Sequence, residues 1–277
     1  MNEISVSTVV FDGHPLEIAF EELAALGLRH VEPAYIHGYM DFDETAFSDA
    51  AARACRARLS ATGLSVRAIS AHIDLGAPDA PERLARRLRF AAGIGATILI
   101  TNAAMRSAAA AMLRCFEATL PQAEAARTII ALENPGHGRD ALISDGVAGA
   151  ALIAEFRSEW LRLNYDVANV LTYSEGGRRP EADFDAAKPA LAHLHFKDAR
   201  ETEGGWVYAP LGEGNVALEH VARSVAGTLL PVGVELPLRL SRRRGGNPER
   251  LRPPLDLPAI RAAVRLSTDR LRLWMLA

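Results

Sequence analysis

Short apolar runs alternate along the chain with longer stretches that have helical spacing. Each run is apolar at most successive positions, which is typical of a parallel strand covered on both faces. The predicted strands are 4–10, 28–32, 65–70, 96–101, 128–132, 161–165, the first half of 191–200, and 231–234. The predicted helices are 15–26, 47–62, 81–92, 105–126 with an interruption near Pro121, 145–160, 184–190, 216–225 and 257–271. The chain therefore repeats a strand followed by a helix eight times.

The repeated order of strand and helix indicates one fold class. Eight such units in 277 residues predict a single α/β domain over 1–277, a (β/α)8 TIM barrel. No linker, repeat or low-complexity segment divides the chain. The alternative is a doubly wound open sheet, which would favour a glycine-rich phosphate turn after the first strand. The chain reads STVVFDGHP at that place, so we expect the barrel.

Composition and charge argue against several kinds of partner. The formal net charge is −3, which does not favour broad electrostatic capture of nucleic acid. The two cysteines lie in helical stretches and suggest neither a disulfide framework nor a CxxC metal site. The chain shows no signal-peptide pattern, and its longest apolar run, near 90–100, is too short to span a bilayer. We therefore expect a cytoplasmic protein without membrane or nucleic-acid partners.

The seventh predicted strand has a polar face. In the stretch LAHLHFKDAR, which is 191–200, His193 and His195 share one face while Leu194 and Phe196 share the other. Two histidines at positions i and i+2 can reach one site, and a metal ion is a common reason for such a pair. The alternative is two core histidines that are bonded to backbone carbonyls. The pattern alone leaves both interpretations open.

Polar residues also stand at the ends of the other predicted strands. Together with the seventh strand they supply Glu32, His72, Asn102, Glu133, Asp166, His195 and Glu235. In a TIM barrel the carboxyl ends of the strands converge on one mouth, where active sites lie. The last four residues come from strands five to eight, and three carboxylates with one imidazole suit Mn²⁺, Mg²⁺ or Co²⁺. Without a cation, three converging carboxylates would repel each other. The alternative interpretation is that these are surface carboxylates that cap helix N-termini.

Four segments carry a family resemblance. They are ALENPGHG, LNYDVANV, LAHLHFKDAR and PVGVELPLR, and their polar residues are spaced by 33, 29 and 40 residues, each about one strand–helix unit. In this order they resemble the xylose isomerase-like TIM barrel superfamily of sugar-phosphate isomerases and epimerases, which includes ketose 3-epimerases and inosose dehydratase. The segments STVV, HVEPAY and ISAHIDLG are also similar to members of that family, so the resemblance covers most of the chain.

The resemblance implies a metal-dependent enzyme. It implies that Glu133, Asp166, His195 and Glu235 bind one divalent ion, with Mn²⁺ as the first choice and Mg²⁺ or Co²⁺ as alternatives. It also implies that Glu133 and Glu235 lie on opposite sides of the substrate and exchange its proton. A metal-stabilised enediolate next to the carbonyl would suit that chemistry. The expected activity is isomerisation or epimerisation of a sugar, sugar phosphate or sugar acid.

The main departure from the family pattern is at Asn169. The family often has a histidine at this place in a DxxH motif, whereas this chain reads DVAN. Asparagine can hydrogen-bond a hydroxyl group but is a poor transition-metal ligand, which disfavours a site with several metal ions and an AP endonuclease-type nuclease. A lyase, dehydratase or decarboxylase acting on a keto-sugar or keto-inositol is the principal alternative. A non-catalytic barrel is the remaining one.

Further residues are candidates for contact with a carbohydrate substrate. The substrate-binding candidates are His72, Asn169, Lys197, Arg200, Arg239 and Trp206, and His137 is a weaker one. Lys197 could instead pair with Asp198, and Trp206 lies in a predicted loop where it could stack on a sugar ring. His193 and Glu32 are expected to support the site from behind, by orienting a ligand. The resemblance also makes a homodimer or homotetramer an expectation.

Overall fold

The computed structural model describes residues 2–134, 140–250 and 252–276. Its strands are β1 (Ile4–Ser7), β2 (His30–Glu32), β3 (Ala34–Tyr35), β4 (Ser65–Val66), β5 (Ala68–Ala71), β6 (Ile98–Asn102), β7 (Ile129–Glu133), β8 (Leu161–Asp166), β9 (Leu191–Phe196), β10 (Asp198–Thr202), β11 (Gly205–Ala209), β12 (Val232–Val234), β13 (Leu240–Arg243) and β14 (Pro248–Arg250). Its α-helices are α1 (Leu16–Ala25), α2 (Asp49–Thr62), α3 (Ala80–Ile94), α4 (Ala109–Ala126), α5 (Gly146–Phe156), α6 (Val167–Tyr173), α7 (Pro180–Ala187), α8 (Leu218–Val225) and α9 (Leu257–Leu276).

Ten of the strands form one parallel sheet that closes into a barrel. Its order is β3-β5-β6-β7-β8-β9-β12-β1-β2-β4. Only Pro33 separates β2 from β3, and only Arg67 separates β4 from β5, so each pair is one barrel strand in two halves. Proline has no N–H to donate to a neighbouring strand, and beyond it the Ala34 N–H bonds to Oγ1 of Thr8 at 2.9 Å. The eight resulting strands confirm the predicted (β/α)8 barrel.

The alternation of side chains along the barrel strands creates layers inside the barrel. Outward residues such as Leu132 and Leu194 belong to the large core shared with the helices. A small inner cluster, Ala68, Ile98, Ile100 and Ala131, fills the amino-terminal end of the barrel. Further along the same strands the inward positions become polar, at Ser70, Asn102 and Glu133. Because of this change from apolar to polar layers, the polar side chains inside the barrel lie at the carboxyl ends of the strands, where TIM-barrel active sites lie.

Two predicted elements differ in detail from the structure. The first strand ends at Ser7, and a 3-10 helix, Thr8–Phe11, follows where a strand to residue 10 was predicted. Helix α4 runs without a break across Pro121, where an interruption was predicted. Proline removes the N–H that would bond to the carbonyl of Glu117. Both Glu117 and Pro121 lie on the exposed side of α4, where water can satisfy that carbonyl.

A second sheet and one helix were not predicted. Helix α6 begins directly after Asp166, whose side chain accepts a hydrogen bond from the N–H of Asn169 and so caps the helix. Strands β10, β11, β13 and β14 form an antiparallel sheet outside the barrel. Trp206, Tyr208 and Leu240 are buried in a small core of that sheet. Across the described ranges, no helix has both the length and the apolar character needed to cross a membrane.

A charged cluster fastens the region after β3 to helix α3. Glu44 accepts hydrogen bonds from Arg83, Arg86 and Arg87, the last at 2.8 and 3.0 Å. The Arg87 side chain is fully buried, and its guanidinium lies 4.0 Å from the centre of the Phe47 ring. The hydrogen bonds and charge of Arg87 lower the pKa of Glu44 to about 2.

Glu44→Gln is therefore expected to destabilise the fold in a pH-dependent way. Because the pKa of Glu44 lies below its ordinary 4.5, its stabilisation is complete above about pH 4.5 and is lost as the pH falls toward 2. Glu44 is 35% exposed, so we expect a loss of about 1–2 kcal/mol in the free energy of unfolding near neutral pH. Urea titrations at several pH values would measure it.

Glu82→Gln is the matched control for this prediction. Glu82 pairs with Arg86 but is 73% exposed, so its loss should change the free energy of unfolding by less than about 0.5 kcal/mol. Equal effects of the two substitutions, or a Glu44 effect that persists unchanged at low pH, would contradict the proposed role of the buried Arg87.

Candidate functional site

Four buried residues converge at the mouth of the barrel. Glu133, Asp166 and His195 lie at the ends of β7, β8 and β9, and Glu235 follows β12 directly. Each offers one ligand atom, and these four atoms lie within 4.8 Å of one another. The parallel register explains this convergence, because Asp166 pairs with His195 and the side chains of both point inward. The structure thus brings together the four residues that the sequence put forward as metal ligands.

Lys197 lies between two of the carboxylates. Its ammonium group contacts Asp166 and lies 2.8 Å from Oε2 of Glu235, and the side chain is almost fully buried. Burial raises the pKa of Asp166 to about 7 in spite of this contact. Burial also disfavours the charge of Glu235, but Lys197 and His195 outweigh it and lower the pKa of Glu235 to about 2. One lysine therefore neutralises only part of the buried negative charge.

His195 has a carboxylate at each ring nitrogen. Nε2 lies 2.9 Å from Oε1 of Glu32, and Nδ1 lies 2.7 Å from Oε1 of Glu133. Burial opposes a charge on the ring, yet Glu32 and Glu133 raise the pKa of His195 well above its ordinary value. Glu32 can hold the proton of Nε2, which leaves Nδ1 toward Glu133 as a ligand atom. The donor set and its excess negative charge fit one divalent metal ion.

A network of hydrogen bonds lies beneath these residues. Ser70 donates to Oε1 of Glu32 at 2.8 Å, and Nδ2 of Asn164 donates to Oε1 of Glu133 at 2.8 Å. Nδ1 of His193 lies 2.9 Å from Oδ1 of Asn164, and burial lowers the pKa of His193 to about 3, so its ring is neutral. Glu32 and His193, proposed from the sequence as supporting residues, therefore both belong to the layer behind His195.

Gly233 makes room for this layer. A Cβ atom at residue 233 would lie 2.7 Å from Oε2 of Glu32 and 3.0 Å from each of His193 and His195. Glu32, His193 and His195 are themselves close enough to form a second group of possible ligands. His195 is shared by both groups, and Ser70 already bonds Glu32. The first group has more carboxylates and opens to a pocket, so it is the better candidate for a metal site.

A pocket of about 290 Å³ lies above the four residues. Among the described residues it is lined by Ile36, His37, Gly38, Tyr39, His72, Asn102, Glu133, Asn169, Tyr173, Glu235, Asn247 and Pro248. Glu133 and Glu235 thus face the pocket on one side and the other two ligand candidates, Asp166 and His195, on the other. His72 and Asn169, predicted from the sequence as substrate contacts, line it too. His72 Nε2 lies 3.7 Å from Oε2 of Glu133.

The sequence missed much of the pocket wall. Tyr39 belongs to the segment after β3, Tyr173 ends helix α6, and Asn247 and Pro248 lie at the hairpin between β13 and β14. Tyr173 lies seven residues after Asp166, and a helix predicted there would have brought it to the same mouth. The hairpin residues give no comparable signal, because their position depends on the outer sheet.

Ion pairs fasten the wall to the barrel. Asp12 is buried and lies 2.7 Å from Nη1 of Arg239 and 3.1 Å from Nε of Arg250. Arg250 also pairs with Asp41 at 3.0 Å. The hairpin is thereby joined to the segments after β1 and β3. Arg239 was predicted to bind the substrate, but it is not among the described residues that line the pocket. Its guanidinium instead forms an ion pair with the buried carboxylate of Asp12.

Three further predicted substrate contacts lie elsewhere. The Arg200 side chain is exposed on strand β10. Trp206 is in strand β11 and not in an open loop, and it is buried with Arg242 and Arg244 near its ring. Lys197 lies below the pocket on Asp166 and Glu235. The outer sheet explains the first two differences, and His137 lies outside the described residues.

The family of the chain follows from its sequence match. The family model described as "Xylose isomerase-like TIM barrel" matches residues 20–251, which is most of the chain. The chain belongs to the xylose isomerase-like TIM barrel family. A search of curated proteins found no match.

Solved structures share the fold of this xylose isomerase-like barrel at low sequence identity. D-psicose 3-epimerase with D-tagatose from Clostridium cellulolyticum H10 is 14% identical, with a TM-score of 0.76 and 99% of each chain covered. A xylose isomerase domain protein from Planctomyces limnophilus is 18% identical, with a TM-score of 0.71 and coverage of 99% and 97%. The probable 3-DHS dehydratase AsbF from Bacillus anthracis is 17% identical, with a TM-score of 0.67 and coverage of 98% and 100%.

Proposed function

We propose that this protein is a metal-dependent enzyme that moves a proton at the carbon next to a carbonyl group. The proposed substrate is a small hydroxylated carbonyl compound, and the proposed reaction is isomerisation or epimerisation. The observation that carries this proposal is the position of Glu133 and Glu235. Both face one pocket and also lie in the group of buried residues that fits a metal ion. Fold relatives described as D-psicose 3-epimerase and L-ribulose 3-epimerase agree with it.

The residues divide the chemistry between them. Glu133, Asp166, His195 and Glu235 would hold a divalent ion, with Mn²⁺ as first choice, which would supply an electrophile for the carbonyl and for the negative charge beside it. Glu133 and Glu235 are the carboxylates that accept and return the proton. Asn164 and His195 both contact Oε1 of Glu133, which holds that carboxylate in one orientation. Because the site is buried, little water competes for the proton.

A dehydratase is the second candidate, and Tyr173 favours it. This phenol lines the same pocket. Burial raises the pKa of Tyr173 to about 12, so the group keeps its proton at neutral pH and could donate it to a departing hydroxyl group. A fold relative described as a probable 3-DHS dehydratase agrees with such a reaction.

Proton exchange with solvent tests the proposed function. The metal-free protein, prepared with a chelator, would be incubated in D₂O with ketoses and other hydroxylated ketones, with and without Mn²⁺, Mg²⁺ or Co²⁺. We expect NMR to show metal-dependent deuterium incorporation next to the carbonyl and an isomerised or epimerised product. A product that has lost one water molecule would instead support the dehydratase. Metal binding without exchange or turnover of any member of a broad panel would overturn the proposal.

A further inference from the structure

We infer that the substrate is a neutral, unphosphorylated polyhydroxy carbonyl compound of the size of one monosaccharide. This inference rests on the proposed function, which leaves free sugars, sugar phosphates and sugar acids open. The lining of the pocket, the engagement of the nearby basic residues and one buried acceptor atom all favour the neutral class.

The charge of the pocket lining favours a neutral substrate. The described residues that line it include the carboxylates of Glu133 and Glu235 but no lysine and no arginine. Proteins bind phosphate or carboxylate groups mainly through arginine, lysine or a helix N-terminus. The other polar lining residues are His37, Tyr39, His72, Asn102, Asn169, Tyr173 and Asn247, which are imidazole, phenol and amide groups. Such groups match hydroxyl groups, which both donate and accept hydrogen bonds.

The nearby basic side chains are already paired. Lys197 contacts Asp166 and Glu235, and Arg239 contacts the buried Asp12. Arg242 donates to the carbonyl of Thr172 and pairs with Glu175 at 3.1 Å. Turning any of these cations toward a substrate anion would therefore break an ion pair or hydrogen bond that the folded chain already makes, at a cost in stability.

The Asn169 side chain offers a hydrogen-bond acceptor beside the pocket. Its Nδ2 donates to the carbonyl of Asn134 at 3.1 Å, so the amide cannot flip without placing two acceptor oxygens together. Its Oδ1 is buried and has no hydrogen-bond partner among the described residues. An acceptor beside the pocket is suited to a donor group on the substrate. A sugar hydroxyl can donate, whereas an ionised phosphate or carboxylate can only accept.

The size of the pocket suits one monosaccharide. A volume of about 290 Å³ is at the lower end of small-molecule pockets, which suits one sugar ring or an open-chain ketose. Tyr39, Asn247 and Pro248 form part of the pocket wall. The ion pairs of Arg250 with Asp12 and Asp41 hold that wall in place.

Paired ligands test this inference directly. The Mn²⁺-loaded protein would be titrated calorimetrically with free ketohexoses, including D-fructose, D-tagatose and D-psicose, and with the 6-phosphate of each. We expect the free sugar of at least one pair to bind at least about tenfold more tightly than its phosphate. Equal or tighter binding of the phosphates throughout would overturn the inference. Solvent exchange with sugar phosphates but not with free sugars would contradict the inferred substrate class and leave the proposed function standing. Binding of free sugars without solvent exchange would contradict the proposed function and leave the substrate class standing.

Two variants sharpen the test. Asn169→Leu removes the acceptor, together with the donor to the Asn134 carbonyl, and keeps the backbone N–H that donates to Asp166. The dissociation constant of the free sugar should rise about tenfold or more. The dissociation constant of Mn²⁺ should stay within about threefold, which checks that the site is intact. Asn247→Arg places a cation on the exposed hairpin and should improve binding of the phosphate relative to the free sugar. Unchanged binding in both variants would contradict the arrangement of the pocket inferred here.

Discussion

Glu235→Gln and Glu133→Gln are each expected to lower the rate of solvent proton exchange by about a thousandfold or more. An amide cannot accept the proton that a carboxylate accepts, and both residues face the pocket. Each residue is also a candidate ligand, so each substitution should weaken metal binding as well. Exchange would be followed by NMR in D₂O, and bound metal by elemental analysis and calorimetry.

Asp166→Asn separates the two roles of these glutamates. Asp166 belongs to the ligand group but is not among the described residues that line the pocket. At a saturating metal concentration, the Asp166→Asn variant should recover much more of the solvent exchange rate than either glutamate variant. Glu155→Gln, an exposed substitution on α5, should leave both exchange and metal binding unchanged. Glutamate variants that regain full exchange at high metal concentration would show that Glu133 and Glu235 are ligands only.

Lys197→Met is expected to cause the largest loss of stability, and only in the metal-free protein. Lys197 is 1% exposed and contacts both Asp166 and Glu235. Removing one partner of a buried ion pair costs about 3–5 kcal/mol, because the remaining charges are left without compensation. Three carboxylates would then face one another without the lysine. Urea denaturation in the presence of a chelator would measure the fall in the free energy of unfolding.

A divalent ion should restore much of the stability of Lys197→Met. An ion that binds only the folded protein stabilises it in proportion to the logarithm of its concentration relative to its dissociation constant. Lys188→Met is the matched control, since Lys188 is the only other lysine, is 37% exposed and pairs with Asp185. Its effect should remain below about 0.5 kcal/mol. A Lys197 variant as stable as the control without metal would show that the carboxylates do not need the ammonium group.

The sequence was most informative where one strand determines the outcome. The alternation in β9 places His193 and His195 on the inward face, and the apolar runs correctly indicated the barrel strands. Because all barrel strands are parallel, polar residues at their carboxyl ends must meet. Glu133, Asp166, His195 and Glu235 could therefore be proposed as one group without any knowledge of distances.

The sequence was least informative where segments far apart in the chain pair with each other. Strand β11 pairs with β13, so Trp206 lies opposite Arg242, 36 residues further along. Nothing in the local pattern of 198–209 indicated this partner, and Trp206 was therefore expected in a loop. The same holds for Arg239, since its partner Asp12 follows the first strand at the opposite end of the chain.

By itself, the sequence determined the barrel, the inward faces of its strands and the group of residues that fits a metal ion. These properties follow from local periodicity and from the way parallel strands align. The tertiary structure alone decided the pocket above that group: the outer sheet, the hairpin at Asn247, the ion pairs of Asp12 and the position of Lys197 between two carboxylates. Those features depend on pairing between distant segments and on competition among buried charges, which only the folded chain resolves.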